Sequence, residues 1–174
     1  MSDAKGTAKA ASFTELYGNH SRAVYQFAYY LSGDAALAED IVSETFLRIW
    51  DSAAVVRMET VRGYLFTIAR NLFLHDLRRK GKQAQLEDTH SVPETAVRDV
   101  VSKEALRDTL ADLQTLPETD RAALLLRAQE GVSYEEIARI LGLSLSSVKV
   151  KIHRARLFLA ERRKGAVHAR SSGH

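Results

Sequence analysis

The sequence predicts an all-α protein: two small helical domains joined by a flexible linker, the C-terminal one a helix-turn-helix. Three observations carry that expectation. Apolar residues recur at three- and four-residue steps through nearly every segment, and strand-like alternation is absent. Only two prolines, Pro93 and Pro117, interrupt the chain. Between two periodic blocks lies "KGKQAQLEDTHSVPETA", polar and containing Pro93, the best linker candidate in the sequence. The expected division is residues 10–82, a linker over 83–98, and residues 99–165.

Each element has its own signal. Phe13, Leu16, Tyr17, Val24, Phe27, Ala28 and Leu31 mark a first helix, closed by Gly33. Asp34 begins a second, in which Ile41, Val42, Thr45, Phe46, Ile49 and Trp50 form a wide buried stripe while Asp40, Ser43, Glu44 and Arg48 stay outside it. A loop, "DSAAVVRMET", leads to a third helix with Leu65, Ile68, Leu72 and Leu74 inward and a basic end. After the linker, Val101, Leu106, Leu110 and Leu113 define a helix that turns at "TLPETD" and continues through "RAALLLRAQEG". The first dozen residues and the closing "AVHARSSGH" are small and polar and are expected to fray.

The stretch "GVSYEEIARILGLSLSSVKVKIHRARLFLAERRK" then reads as two helices around a tight break. Ser133 and Glu136 have capping-box spacing, in which the Ser133 hydroxyl accepts from the Glu136 amide and the Glu136 carboxylate reaches back. Gly142 supplies the permissive backbone of the turn and Ser144 a second cap. Leu145, Val148, Ile152, Ala155 and Leu159 fall on one side of the second helix. The opposite face carries Ser146, Lys149, Val150, His153 and Arg154, with Ser147 and Lys151 on one shoulder. Seven Lys and Arg residues between 149 and 164 stand against Glu161 alone. A basic face on a solvated helix is common, but here turn chemistry, periodicity and charge agree on a helix that enters the DNA major groove.

Composition bounds the other possibilities. With 174 residues, 45% hydrophobic and 27% charged, the chain is ordinary globular protein with room for one domain or two small ones. The net charge is only +3, but it is segregated: residues 62–82 and the last helix are basic, whereas residues 83–120 hold nine acids against three bases. The absence of cysteine excludes disulfides, thiolate zinc sites and cysteine nucleophiles. No apolar run approaches membrane-spanning length and the N-terminus lacks a secretory core, so no membrane insertion and a cytoplasmic location are expected. His20, His75, His90, His168 and His174 form no i, i+4 pair, and neither a phosphate-binding glycine loop nor a nucleophile elbow occurs. No metal, cofactor or catalytic residue is therefore expected, and Trp50 reads as core rather than as a ligand stack.

Three motifs, "GDAALAEDIVSETFLRIW", "VRGYLFTIARNLFLHDLRRK" and "LPETDRAALLLRAQEGVSYEEIARILGLSLSSVKVKIHRARLFL", occur in the order and at the separation found in extracytoplasmic-function (ECF) sigma factors of bacterial RNA polymerase, and the chain resembles that family over almost its whole length. The resemblance implies a two-domain initiation subunit. Residues 10–82 would be sigma region 2, which binds core polymerase and the −10 promoter element, and residues 99–165 would be region 4, which binds the −35 element. It also implies an anti-sigma factor as a partner.

Carried over by motif, core-polymerase contacts fall on Asp40, Ser43 and Glu44, where the clamp helices of the largest catalytic subunit would dock. Asp40 and Glu44 are also one helical turn apart on the polar side, so both carboxylates can meet one basic surface. Asn71 matches the residue that holds the opened −10 element, and Val56 and Arg57 lie in the loop that captures a flipped base. Arg62, Arg70, Arg78, Arg79 and Lys80 would contact phosphates. For the −35 element the reading positions are Lys149, Val150, His153 and Arg154, with Arg127 reaching from an earlier helix and Ser147 and Lys151 contacting phosphate. Arg154 is expected to pair in bidentate fashion with guanine.

Two other classes compete with this reading. A one-component helix-turn-helix transcriptional regulator would bind duplex DNA without polymerase and carry a ligand pocket or dimer surface in its first domain. An enzyme acting on nucleic acid would need a carboxylate cluster to hold magnesium, for which Glu39, Asp40 and Glu44 are the candidates.

Overall fold

The computed structural model describes residues 2–52, 58–86 and 100–171, with side chains described for 12–52, 61–83 and 104–165. All described elements are helices: α1 (Ser2–Ser32), α2 (Ala35–Asp51), α3 (Met58–Leu86), α4 (Val100–Gln114), α5 (Glu118–Ala128), α6 (Tyr134–Leu141) and α7 (Leu145–Ser171). They divide into two compact units, Met1–Tyr29 with Asp34–Pro93, and Tyr30–Gly33 with Glu94–His174.

Gly33 (φ 72°) makes the break after α1, and in the first unit the Asp34 carboxylate accepts from Leu37 N at 3.0 Å to start α2. The α2 stripe packs on α3 as the apolar spacing requires: Ile41, Val42, Thr45, Phe46 and Ile49 are buried. Phe46 meets Tyr17 edge-on at 4.8 Å, and Phe27 meets Phe66 at 5.2 Å. Trp50 does not enter the core; it is 38% exposed and lies against Phe13 at 5.0 Å, at the rim of this aromatic cluster.

The face of α3 differs from expectation by part of a turn. Val61, Leu65, Phe66, Ile68, Ala69, Phe73 and Asp76 are buried, whereas Leu72 and Leu74 are half-buried. Two phenylalanines take the space assigned to the leucines, because the larger ring gains more from full burial. The helix also extends past its expected end, through residues 83–86 at the start of the linker. Similarly, α1 begins at Ser2 and α7 continues to Ser171, so both stretches expected to fray are largely helical. Neither contains proline, and their alanines favour continuation of a helix already nucleated beside them.

The second unit is built around α5, which buries every side chain from Asp120 to Leu126 between α6 and α7. The run "RAALLL" is apolar nearly all round, as a helix enclosed on several sides must be. Pro117 precedes α5, and the Arg121 guanidinium reaches back to the end of α4, donating to Leu113 O at 3.3 Å and to Gln114 Oε1 at 2.6 Å. Burial lowers the Arg121 pKa, and the nearby Glu118 carboxylate opposes that shift. Val148, Ile152 and Ala155 of α7 close the core; Leu145, expected inward, is 37% exposed at the first position of α7.

Candidate nucleic-acid and polymerase interfaces

Caps fix the angle at which α7 leaves the turn. Ser133 Oγ accepts from Glu136 N at 3.2 Å to start α6. The reciprocal half of the capping box does not form, because the Glu136 carboxylate pairs with Arg139 one turn on. At the other end Gly142 adopts φ 65°, and Leu143 N donates to Ala138 O at 2.9 Å. This Schellman closure needs left-handed backbone, which glycine adopts without steric cost. Ser144 Oγ then accepts from Ser147 N at 3.2 Å and opens α7.

With Val148, Ile152 and Ala155 turned inward, the helical period leaves Lys149, Val150 and His153 exposed, Val150 by 60%. Lys151 and Arg154 lie on the flank that faces α5. There Asp120, the third residue of α5 and fully buried, accepts from Arg154 Nε at 2.7 Å and from Arg154 Nη2 at 2.8 Å, and Lys151 Nζ lies 3.3 Å from its Oδ1. Bidentate pairing of Arg154 with guanine would thus compete with a bidentate pair already made inside the unit. The same holds for a phosphate contact by Lys151.

Two further residues expected at the −35 element are also engaged locally. Arg127 donates to Val132 O at 3.1 Å and its guanidinium stacks over the Tyr134 ring at 4.8 Å, which pins the loop before α6. The Ser147 hydroxyl accepts from Ser144 Oγ at 2.8 Å, within the cap of α7.

On the first unit, Asp40 and Ser43 are exposed on α2, and Glu44 accepts from Arg48 Nε at 2.8 Å one turn later. Asp40 and Glu44 share one wall of a shallow groove of about 210 Å³ whose other wall is Leu72, His75, Asp76 and Arg79 of α3. The acidic pair therefore sits beside the basic end of α3. Asn71 is exposed on α3. Arg62 lies over the Phe66 ring at 5.6 Å, Arg70 is half-buried, and Arg78 Nε donates to Leu74 O at 3.3 Å. Arg79 and Lys80 both bind Asp76, at 2.8 Å and 3.0 Å, and Lys80 also lies 4.0 Å from the Asp34 carboxylate that caps α2. Val56 and Arg57 fall outside the described residues. His20, partly buried, has its pKa lowered by desolvation first and by the Arg62 charge second.

Asp76 and Asp120 were not singled out by sequence reasoning. A signal existed for Asp120: an acid at the start of a helix apolar all round must lose its water and so needs a cation nearby. For Asp76 the two bases at i+3 and i+4 were the signal. Among the described residues no group of three or more acids or histidines is arranged to hold a metal ion, so Glu39, Asp40 and Glu44 do not form the cluster that magnesium-dependent chemistry requires. No helix among them is long and apolar enough to cross a membrane.

The described residues thus hold a capped helix-turn-helix with an exposed α7 face, and a three-helix unit bearing an acidic helix beside a basic one. The sigma-70 region 2 family model matches residues 16–83 and the sigma-70 region 4 family model matches residues 109–159. The chain is 40% identical over 164 residues to the ECF RNA polymerase sigma factor SigE of Mycolicibacterium smegmatis, covering 88% of this chain and 63% of that one. It is 35% identical over 154 residues to the ECF RNA polymerase sigma factor SigL of Mycobacterium tuberculosis, covering 85% of this chain and 86% of that one. Among solved structures it is similar to the sigma factor RpoE of Bartonella quintana, in complex with the anti-sigma factor NepR, with a TM-score of 0.77, 30% identity and coverage of 88% and 97%. The chain belongs to the ECF family of RNA polymerase sigma factors.

Proposed function

We propose that this chain is an alternative sigma factor that binds core RNA polymerase, recognises −10 and −35 promoter elements and directs transcription initiation from the cytoplasm, with no catalytic step of its own. Residues 10–82 form the polymerase and −10 unit. Asp40, Ser43 and Glu44 supply its contact with the clamp helices, and Asn71 reads the opened strand. Arg62, Arg70, Arg78, Arg79 and Lys80 border the same unit as phosphate contacts, and the loop with Val56 and Arg57 serves the flipped base. Residues 99–165 form the −35 unit, read by Lys149, Val150 and His153. The observation that carries this reading is the pairing of an exposed α7 face with both sigma-70 regions in one chain. Those matched regions favour it over a one-component regulator, which needs no region 2.

An anti-sigma factor fits as the restraining partner, since the similar Bartonella sigma factor was solved with one bound. The test is promoter binding by the free chain and by the chain with purified core polymerase. The sigma reading expects weak duplex binding by the free chain and specific binding once core is added. Tight, specific duplex binding without polymerase would favour the regulator.

A further inference from the structure

Asp120 is fully buried, yet two cations from a helix more than thirty residues away converge on it. Its carboxylate sits in the first turn of α5, where the helix dipole favours a negative charge. Both partners lie on one flank of α7: Arg154 by Nε and Nη2, and Lys151 by Nζ. Their side chains remain partly exposed, 58% for Arg154 and 24% for Lys151, so they lie at the boundary between the core and the face offered to DNA. The opposite flank carries Lys149 and His153, with Val150 between.

We propose that Asp120 is a positioning residue for promoter reading: it ties Lys151 and Arg154 to α5, fixes the roll of α7, and leaves base choice to Lys149, Val150 and His153. Three bonds from one carboxylate to two side chains a turn apart resist rotation of α7 about its axis, which core packing by Val148, Ile152 and Ala155 alone resists less. They also withdraw positive charge from the DNA face. A cation held by a carboxylate displaces fewer counterions from DNA, so sequence-independent attraction is reduced and the share of binding carried by base contacts rises. Asp120 thereby acts on specificity without touching DNA.

This rests on α7 reading the −35 element, so the test separates the two. Promoter binding by the holoenzyme, assembled from core polymerase and the full chain, is measured on a −35 substitution library at several salt concentrations for Asp120→Asn, Asp120→Glu and Lys149→Ala. Asp120→Asn keeps the shape and removes the charge. It is expected to steepen the salt dependence by about one unit and to reduce discrimination against single −35 mismatches by about fivefold. Asp120→Glu, which restores the charge, is expected to recover part of both. Adding Arg154→Ala to Asp120→Asn should bring the salt dependence back toward its original value, because the released cation is then absent. A merely structural role would lower the melting temperature and weaken every sequence alike. An Asp120→Asn holoenzyme with unchanged salt slope and unchanged mismatch pattern overturns the proposal, and so does a uniform loss. If Lys149→Ala also leaves the −35 pattern intact, α7 is not the reading helix and both readings fall; if only Lys149→Ala changes it, Asp120 alone is misassigned.

Discussion

Each unit of this protein contains a nearly or fully buried aspartate that holds one arginine and one lysine, and the two arrangements differ in what they connect. Asp76 binds Arg79 and Lys80 of its own helix, at i+3 and i+4. Asp120 binds Lys151 and Arg154 of a helix that follows it by more than thirty residues. The first arrangement decorates a helix that already exists, and its arginine is 68% exposed, so the pair is screened by water and salt. The second joins two helices, and its carboxylate is only 1% exposed. Similar chemistry thus joins neighbours within one helix in the first unit and ties two helices together in the second.

The comparison breaks first if Arg154 and Arg79 prove equivalent. Arg154→Ala leaves Asp120 buried with Lys151 alone and is expected to destabilise its unit by about 2 kcal/mol, a value reduced for the partial exposure of the guanidinium. Arg79→Ala is expected to stay within about 0.5 kcal/mol. Thermal melting of the two variants decides, and equal shifts would remove the distinction. Because Arg154 supplies two of the three bonds that hold α7 to Asp120, Arg154→Ala should relax discrimination across several −35 positions, whereas a guanine-reading Arg154 would lose it at one base pair alone.

The groove bordered by Asp76 offers a second test. Asp40→Ala together with Glu44→Ala is expected to weaken core polymerase binding by on the order of 2 kcal/mol, about thirtyfold. Titration of labelled core polymerase measures it, and unchanged affinity would take the acidic helix out of the polymerase contact. Asp76 lines the same groove, but its charge is matched by Arg79 and Lys80, so Asp76→Asn should change core binding far less.

How far the sequence reaches follows from the same contrast. Helix positions, the break at Gly33 and Asp34, the turn at Gly142 and the cap at Ser144 were legible because each depends on residues within a few positions of one another. Lys149, Val150 and His153 were legible as an outward face for the same reason. Arg154 was placed on that face by helical arithmetic, yet its partner is decided by how α5 packs against α7, which periodicity within α7 does not contain. Phe66 and Phe73 in place of Leu72 and Leu74 illustrate this within the core: the buried face of α3 is chosen by what the neighbouring helices present, as where Phe66 meets Phe27 of α1, and several apolar faces were available in the sequence.

Polar burial without a partner sharpens the point that both aspartates are satisfied. Thr45 is fully buried in α2 and its hydroxyl makes no hydrogen bond. Thr45→Val keeps the shape and removes that unpaired group, so it is expected to raise stability by about 1 kcal/mol. Chemical denaturation measures this, and a loss of comparable size would show that the hydroxyl has a partner in solution.

The smallest expected effect concerns pH. The folded pKa of His20 lies below its ordinary value of 6.5, chiefly from desolvation and then from Arg62. Below that ordinary value the unfolded chain binds the proton more readily, so the His20 contribution to stability is present at neutral pH and lost as pH falls through the window from 6.5 to the lowered folded pKa. His20→Gln should flatten the stability profile across that window, and an unchanged slope would assign it to other groups.

Selection from a random promoter pool by purified core polymerase, with the wild-type chain, Asp120→Asn and Asp76→Asn in parallel, decides whether the two aspartates divide these roles. This division of roles predicts polymerase-dependent enrichment of two separated elements by the wild type. Asp120→Asn should blur the upstream element alone, and Asp76→Asn should preserve both patterns while changing only the salt dependence. Equal blurring by the two substitutions, or enrichment of a single duplex motif by the chain without polymerase, would contradict it.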